Sequence, residues 1–96
     1  MRVILITGIS GSGKSIALRV LEDDGFFCID NLPVRFLQEV IGHLSAEGAE
    51  RVAVAIDSRG GHELAQLPAL AAGLGRFGHD VKVLFLDART DTLIQR

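Results

Sequence analysis

A glycine-rich segment at residues 8–15, with the sequence GISGSGKS, restricts the fold of this chain more than any other feature. It follows directly on a short apolar run at residues 2–6 and leads into a segment, Ser15 to Glu22, whose apolar residues have helical spacing. Glycine tolerates positive φ and, because it has no Cβ, lets the backbone approach another group closely. The pattern therefore predicts a strand, a tight loop and a helix in direct succession.

The rest of the chain alternates between the same two patterns. Short apolar or β-branched runs predict three further strands, at Gly25–Ile29, Arg51–Ile56 and Val81–Leu86. Apolar steps of three and four predict two further helices, one that starts at Pro33 and runs from Val34 to Leu44, and one from Glu63 to Phe77 that is broken or re-aimed near Pro68 and Gly73. The first, third and fourth strands are almost continuously apolar, as in parallel sheets that helices cover on both faces. The predicted fold class is α/β, a three-layer αβα domain with a mainly parallel sheet.

The chain has 96 residues, of which 48% are hydrophobic and 23% charged, and its formal net charge is -2. This composition is typical of a globular protein and provides no overall basic field for nucleic acid. The apolar run Val3 to Ile6 is too short for a signal peptide or a membrane span, so we expect a cytoplasmic protein without membrane attachment. Alternating strands and helices usually need a longer chain to complete their sheet, and Asp91 to Arg96 resemble the first turn of a helix. We therefore expect residues 1–96 to be an incomplete N-terminal domain.

The residue types of the glycine-rich segment suit the binding of a purine nucleoside triphosphate. In this segment a glycine is followed by four residues and then by glycine, lysine and serine. This is the spacing of the phosphate-binding loop of P-loop NTPases. Backbone N–H groups in such a loop converge on the β-phosphate, assisted by the dipole of the helix that we expect to begin near Lys14. Lys14 would reach the β- and γ-oxygens and Ser15 would ligate Mg²⁺. The predicted binding residues are Gly8, Ile9, Ser10, Gly11, Ser12, Gly13, Lys14 and Ser15.

The segment has two other possible interpretations. A dinucleotide-binding loop is excluded by spacing, because it would need a glycine where Ile16 stands. A chance match, in which glycine and serine make only a strand-to-helix turn, is disfavoured because the motif lies in the strand-loop-helix context that it requires.

Asp57 follows directly on the apolar run Val52 to Ile56, where a strand end would bring its carboxylate beside the phosphate loop. It is a candidate ligand for Mg²⁺, and a candidate to orient the water molecule that attacks the γ-phosphate. The alternative is an aspartate that only caps the following loop, and the sequence alone favours neither interpretation over the other. Arg59 could stabilise charge on a phosphate or pair with a surface carboxylate.

The segment Asp30-Asn31-Leu32-Pro33 follows the second predicted strand, and it too would emerge at the carboxyl edge of the sheet, where open parallel sheets bind ligands. Asp30 could orient a nucleophile or an acceptor, as in small-molecule kinases, and its role stays open at this point. For Asn31 we expect an Asx turn that caps the helix starting at Pro33.

Several stretches together make the whole chain resemble the bacterial RapZ/YvcJ family of nucleotide-binding proteins. They are the loop at residues 8–15, LEDDGFFCIDNLP at 21–33, AIDSR at 55–59, LFLDA at 84–88 and DTLIQR at 91–96. The resemblance implies that ATP binds through residues 8–15, that GTP binds through Asp57, Ser58, Arg59 and Gly60, and that the protein has NTPase activity. The family commonly has asparagine at the position of Gly60.

The resemblance also implies partners. In some proteobacteria the full-length protein is an RNase adapter that binds a small RNA and presents it for cleavage. Recognition of RNA belongs largely to a C-terminal domain that residues 1–96 do not include. The expected function is therefore that of the regulatory nucleotide-binding module of such an adapter, with the small RNA and the RNase contacted through the region beyond residue 96.

A small-molecule kinase would use the same loop, with Asp30 or Asp57 as the base toward an acceptor hydroxyl. A kinase needs a lid, and nothing before Arg96 supplies a convincing one. A third hypothesis, in which nucleotide binding is lost and the domain mainly dimerises, is disfavoured by the intact Lys14 and Ser15. The sequence decides neither between ATP and GTP nor whether the protein is a homo-oligomer.

Overall fold

The computed structural model describes residues 1–8, 11–56 and 65–86. Within them, strands and helices alternate in the order β1 (Arg2–Gly8), α1 (Gly11–Asp23), β2 (Phe27–Leu32), α2 (Leu37–Ala46), β3 (Arg51–Ile56), α3 (Leu67–Arg76) and β4 (Asp80–Leu86). The strands form one sheet in the order β2-β3-β1-β4, and each neighbouring pair is parallel. The predicted α/β class with a parallel sheet is confirmed.

Helices cover both faces of the sheet. The central strands carry apolar side chains on each face, and these side chains are buried under the helices. Successive side chains of a strand point to opposite faces. On one face the buried residues of β1 and β3 pack against α2 and α3, in a cluster that includes Val3, Leu5, Val52, Val54, Leu37, Ile41 and Leu74. On the other face they pack against α1, in a cluster that includes Ile6, Ala53, Ala55, Ala17 and Leu18. The result is the three-layer arrangement that the sequence predicted.

The third helix differs from its prediction. The sequence predicts a break or change of direction near Pro68 and Gly73, but α3 runs without interruption from Leu67 to Arg76. Pro68 lies in the first turn, where its missing N–H removes no hydrogen bond because that donor has no acceptor inside the helix. Proline therefore marks the start of this helix instead of interrupting it.

The second strand also differs from its prediction, which ended it at Ile29. β2 continues to Leu32, which pairs with Ile56 of β3, because a β-bulge between Ile29 and Leu32 keeps the two strands together. Pro33 has extended backbone and precedes a 3-10 turn at Val34–Phe36, so α2 begins only at Leu37. The expected helix start at Pro33 was therefore too early.

The connections place an open crevice at the carboxyl ends of β1 and β3. These strands are neighbours, yet α1 follows β1 onto one face of the sheet, whereas α3 follows β3 onto the other. Open α/β sheets bind ligands at such a topological switch point. None of the described helices is long and apolar enough to cross a membrane.

Candidate phosphate-binding site

The glycine-rich segment begins with a backbone conformation that only glycine adopts easily. Gly8, the last residue of β1, has a φ of 145°, a conformation that side chains with a Cβ rarely adopt. Ile9 and Ser10 lie outside the described residues. The helix α1 begins at Gly11, three residues before the start near Lys14 that the sequence predicts. The sequence underestimated α1 because glycine and serine are poor helix formers.

The early start of α1 matters for the binding of an anion. An α-helix leaves the N–H groups of its first turn without acceptors inside the helix, and its dipole makes that end positive. Because α1 starts at Gly11, its first turn is formed by the second half of the glycine-rich segment. The phosphate-binding groups predicted from the motif are thus largely N–H groups of a helix terminus.

Lys14 connects α1 to the neighbouring strand β3. Its Nζ donates a hydrogen bond of 3.2 Å to the carbonyl oxygen of Ile56, the last residue of β3, and the side chain is half-buried. The ammonium therefore lies at the switch point between β1 and β3. This partner was missed by sequence reasoning, because a backbone carbonyl carries no residue-specific signal.

Ser15 follows Lys14 on α1 and is exposed. Its hydroxyl is a hard oxygen donor of the kind that Mg²⁺ prefers, and phosphate oxygens would complete such a site. Asp57 follows Ile56 directly, but Asp57, Ser58, Arg59 and Gly60 lie outside the described residues. Among the described residues, no group of three or more His, Cys, Asp or Glu side chains is arranged to hold a metal ion.

The expected role of Asn31 as a helix cap is wrong. The residue that caps the 3-10 turn is Pro33, and no side chain makes a capping hydrogen bond there. Asn31 instead has a φ of 59° and lies in the β2 bulge, and both Asp30 and Asn31 are exposed. An Asx turn at Asn31 would also need an N–H donor two residues on, and Pro33 has none.

Thr7 is a buried polar residue next to the loop. It is only 4% exposed, and its Oγ1 has no hydrogen-bond partner among the described residues. It borders an open, mainly apolar pocket of about 300 Å³ on the α3 side of the sheet, together with Leu67, Pro68, Val83 and Phe85. An unpartnered hydroxyl in such a place costs stability, because the group has lost its hydrogen bonds to water.

We therefore expect Thr7→Val to raise the free energy of unfolding by about 1 kcal/mol, since valine has the same shape without the hydroxyl. Thr7→Ser is the matched control, because it keeps the hydroxyl and loses the methyl group, and it should lower stability. Chemical unfolding followed by circular dichroism measures both changes. A loss of stability in Thr7→Val would mean that the hydroxyl has a partner in the folded protein.

Cys28 lies on the α1 face of β2. Its Sγ is 3.3 Å from the carbonyl oxygen of Leu18 in α1, and the side chain packs against the α1 cluster. Burial, followed by the negative charge of Glu22, raises the pKa of the Cys28 thiol above its ordinary value. The thiol is therefore protonated at neutral pH, and Cys28 acts as a small packing residue.

Comparison with known proteins gives one family and several close relatives. The sequence model of the protein family described as RapZ-like N-terminal domain matches residues 1–96. A nucleotide-binding protein of Bordetella pertussis is 62% identical over 96 residues, and one of Bordetella avium is 59% identical. A nucleotide-binding protein of Paraburkholderia phytofirmans is 57% identical. Each match covers 100% of this chain but only 32% or 33% of the relative, so the chain spans about a third of their length.

Proposed function

The chain belongs to the RapZ-like N-terminal domain family, and on this premise we propose that it binds the triphosphate of ATP or GTP with Mg²⁺ and hydrolyses it slowly. The relatives that match over its whole length are named nucleotide-binding proteins. The observation that carries the proposal is the position of the Lys14 ammonium, 3.2 Å from the Ile56 carbonyl at the carboxyl ends of two adjacent strands.

In the proposed complex the β-phosphate lies against the first turn of α1, where helix N–H groups bind its oxygens. Lys14 then exchanges the neutral carbonyl of Ile56 for the charged β- and γ-oxygens. The phosphate oxygens carry negative charge and the carbonyl does not, so Coulomb attraction to the ammonium favours the bound state. Lys14 is thus pre-positioned close to the phosphates by a weaker contact that it can give up.

The Ser15 hydroxyl and the Asp57 carboxylate are the proposed ligands of Mg²⁺, directly or through water. When bound, the ion neutralises charge that develops on the β- and γ-phosphates. The resemblance further implies ATP at residues 8–15 and GTP at Asp57, Ser58, Arg59 and Gly60, and both assignments are part of this proposal.

If Asp57 has this role, Asp57→Asn should slow Mg²⁺-dependent phosphate release by about 100-fold and change nucleotide affinity much less, because the carboxylate charge matters most in the transition state. Single-turnover phosphate release and calorimetry measure the two quantities. Asp80→Asn removes a charge at the amino end of β4, the opposite edge of the sheet, and serves as the control. Equal turnover in Asp57→Asn and the parent would remove Asp57 from the mechanism.

A small-molecule kinase is the second candidate function, and the exposed Asp30 is the observation that favours it. Phosphate release and transfer to a hydroxyl compound start from the same bound nucleotide and differ only in the nucleophile. Detection of a phosphate ester, as opposed to inorganic phosphate, would favour the kinase.

At the level of the full-length protein we propose that residues 1–96 are the N-terminal part of the nucleotide-binding module of a cytoplasmic RNase adapter. The small RNA and the RNase would be recognised outside residues 1–96, and a homo-oligomer is compatible with this role. The test is titration of the full-length protein with ATP and with GTP, with and without candidate small RNAs. Nucleotide affinity that changes with RNA supports the adapter, whereas phosphate release stimulated only by a small metabolite would contradict it.

A further inference from the structure

A β-bulge presents two polar residues at the carboxyl end of β2. Ile29 pairs with Val54 and Leu32 pairs with Ile56, so three steps along β2 match two steps along β3. Asp30 and Asn31 therefore lie together opposite Ala55. Asn31 has a φ of 59°, a left-handed conformation that asparagine adopts more readily than most residues other than glycine. Bulges of this kind are common next to active sites, where they re-aim side chains.

Neither side chain supports the local fold. Both are exposed, and the turn that follows has Pro33 as its cap, without a side-chain hydrogen bond. Within the part of the chain that the structure describes, Asp30 and Asn31 have no hydrogen bond or ion pair through their side chains. Both side chains are therefore available to a ligand at the carboxyl end of β2.

The neighbours of Asp30 in the sheet lie on the face that α1 covers. Cys28 contacts Leu18 of α1 on this face, whereas Ile29 packs into the cluster on the other face. Ala55, which lies opposite Asp30 and Asn31, also packs on the α1 side. Asp30 thus follows Cys28 by two residues and lies opposite Ala55, and both of these neighbours are on the α1 side.

Asp30 is also at the level of Lys14 along the sheet. From Cys28 to Asp30 the strand advances about 7 Å toward the carboxyl edge. From Leu18 back to Lys14 the antiparallel helix α1 covers four residues, or about 6 Å, in the same direction. In addition, Leu32 at the end of the bulge pairs with Ile56, whose carbonyl accepts the Lys14 hydrogen bond. The bulge and the Lys14 ammonium thus both lie next to the carboxyl end of β3.

A carboxylate in this place suits a hydroxyl group better than a phosphate. It would repel the anionic γ-phosphate, but it accepts a hydrogen bond from an O–H group, and a neighbouring carboxamide can both donate and accept. We propose that the Asp30–Asn31 bulge binds the hydroxyl nucleophile, from water or from an alcohol, that attacks the γ-phosphorus. This inference rests on the proposed function, and it gives Asp30 the water-orienting role that the sequence suggested for Asp57.

In this step the hydroxyl oxygen forms a bond to the γ-phosphorus, and the bond from that phosphorus to the β–γ bridging oxygen breaks. The electron pair of the broken bond leaves with the nucleoside diphosphate. The hydroxyl proton passes to the Asp30 carboxylate and then to solvent. Water yields inorganic phosphate, and an alcohol yields a phosphate ester.

The test uses the full-length protein with Asp30→Asn, which removes the charge at constant shape, and Asn31→Gly, which keeps the backbone conformation and removes the carboxamide. Asp23→Asn is the matched control, because Asp23 is an exposed carboxylate at the far end of α1. We expect Asp30→Asn to slow single-turnover phosphate release from Mg-ATP by about 100-fold, in the range of lost general-base catalysis. Asn31→Gly should slow it less, and Asp23→Asn should not change it.

Calorimetry with a non-hydrolysable ATP analogue separates this inference from the proposed function. We expect its affinity to stay within about 3-fold of the parent in all three variants, since the bulge binds the nucleophile and not the nucleotide. Phosphate release at the parental rate in Asp30→Asn, or a parallel loss of analogue affinity, would overturn the inference, as would a parent that binds ATP without releasing phosphate. Failure of the parent to bind the analogue would instead overturn the proposed function.

A last arm identifies the source of the hydroxyl group. Labelled γ-phosphate is followed with and without added glycerol and glucose as alcohol probes. Label that appears only as inorganic phosphate indicates water, and label in an ester indicates an alcohol. In either case the product must decrease in Asp30→Asn, and a product that persists at the parental rate contradicts the inference.

Discussion

Replacing Lys14 by alanine is expected to lower the affinity of the full-length protein for Mg-ATP by about 100-fold, or about 3 kcal/mol. The change removes the ammonium that lies beside the end of β3 and that would bind the β- and γ-oxygens. The triphosphate would then lie in the crevice without its main protein counter-charge. Calorimetric titration with a non-hydrolysable ATP analogue measures the effect.

Lys82→Ala is the matched control for this experiment, because Lys82 is the only other lysine of the chain and is exposed on β4. It should leave the affinity unchanged. Far-UV circular dichroism of both variants checks that the fold is intact. An unchanged affinity in Lys14→Ala would contradict the assignment of residues 8–15 to phosphate binding.

Replacing Leu5 by alanine is expected to lower the free energy of unfolding by about 3 kcal/mol. Leu5 is completely buried in β1, between β3 and β4, and packs into the cluster under α2 and α3. Truncation removes apolar contacts and leaves a cavity that a central strand with two neighbours cannot close easily. Chemical unfolding followed by circular dichroism measures the change.

Val20→Ala is the control for the core variant, since Val20 is an apolar residue that is 61% exposed on α1. Its effect should stay within about 0.5 kcal/mol, as is usual for surface positions. A loss of less than 1 kcal/mol in Leu5→Ala would show that the core under α2 and α3 is not packed as described.

The strands and the fold class were the most predictable part of this protein. β3 has the predicted bounds, Arg51–Ile56, because a fully buried parallel strand is a continuous apolar run between polar residues. β1 and β4 begin or end within two residues of their predictions. These features depend on residues that are neighbours along the chain.

The ends of elements near the site were less predictable. α1 starts at Gly11, in residues with low helix propensity, because the loop and the packing of α1 on the sheet outweigh that preference. β2 extends through Asp30 and Asn31, where the sequence suggested a turn, because pairing with β3 resumes after one extra residue. In both cases contacts with distant residues outweighed the local signal.

The sequence by itself determined the alternation of strands and helices and the residue types of the glycine-rich segment, since both arise from local spacing. Only the tertiary structure decided the strand order β2-β3-β1-β4, the contact of Lys14 with the carbonyl of Ile56, and the bulge that holds Asp30 and Asn31 in β2. Lys14 and Ile56 are 42 residues apart, and a backbone carbonyl is the same in every residue, so no sequence pattern encodes their contact. It arises because parallel pairing brings the carboxyl ends of β1 and β3 together at one edge of the sheet.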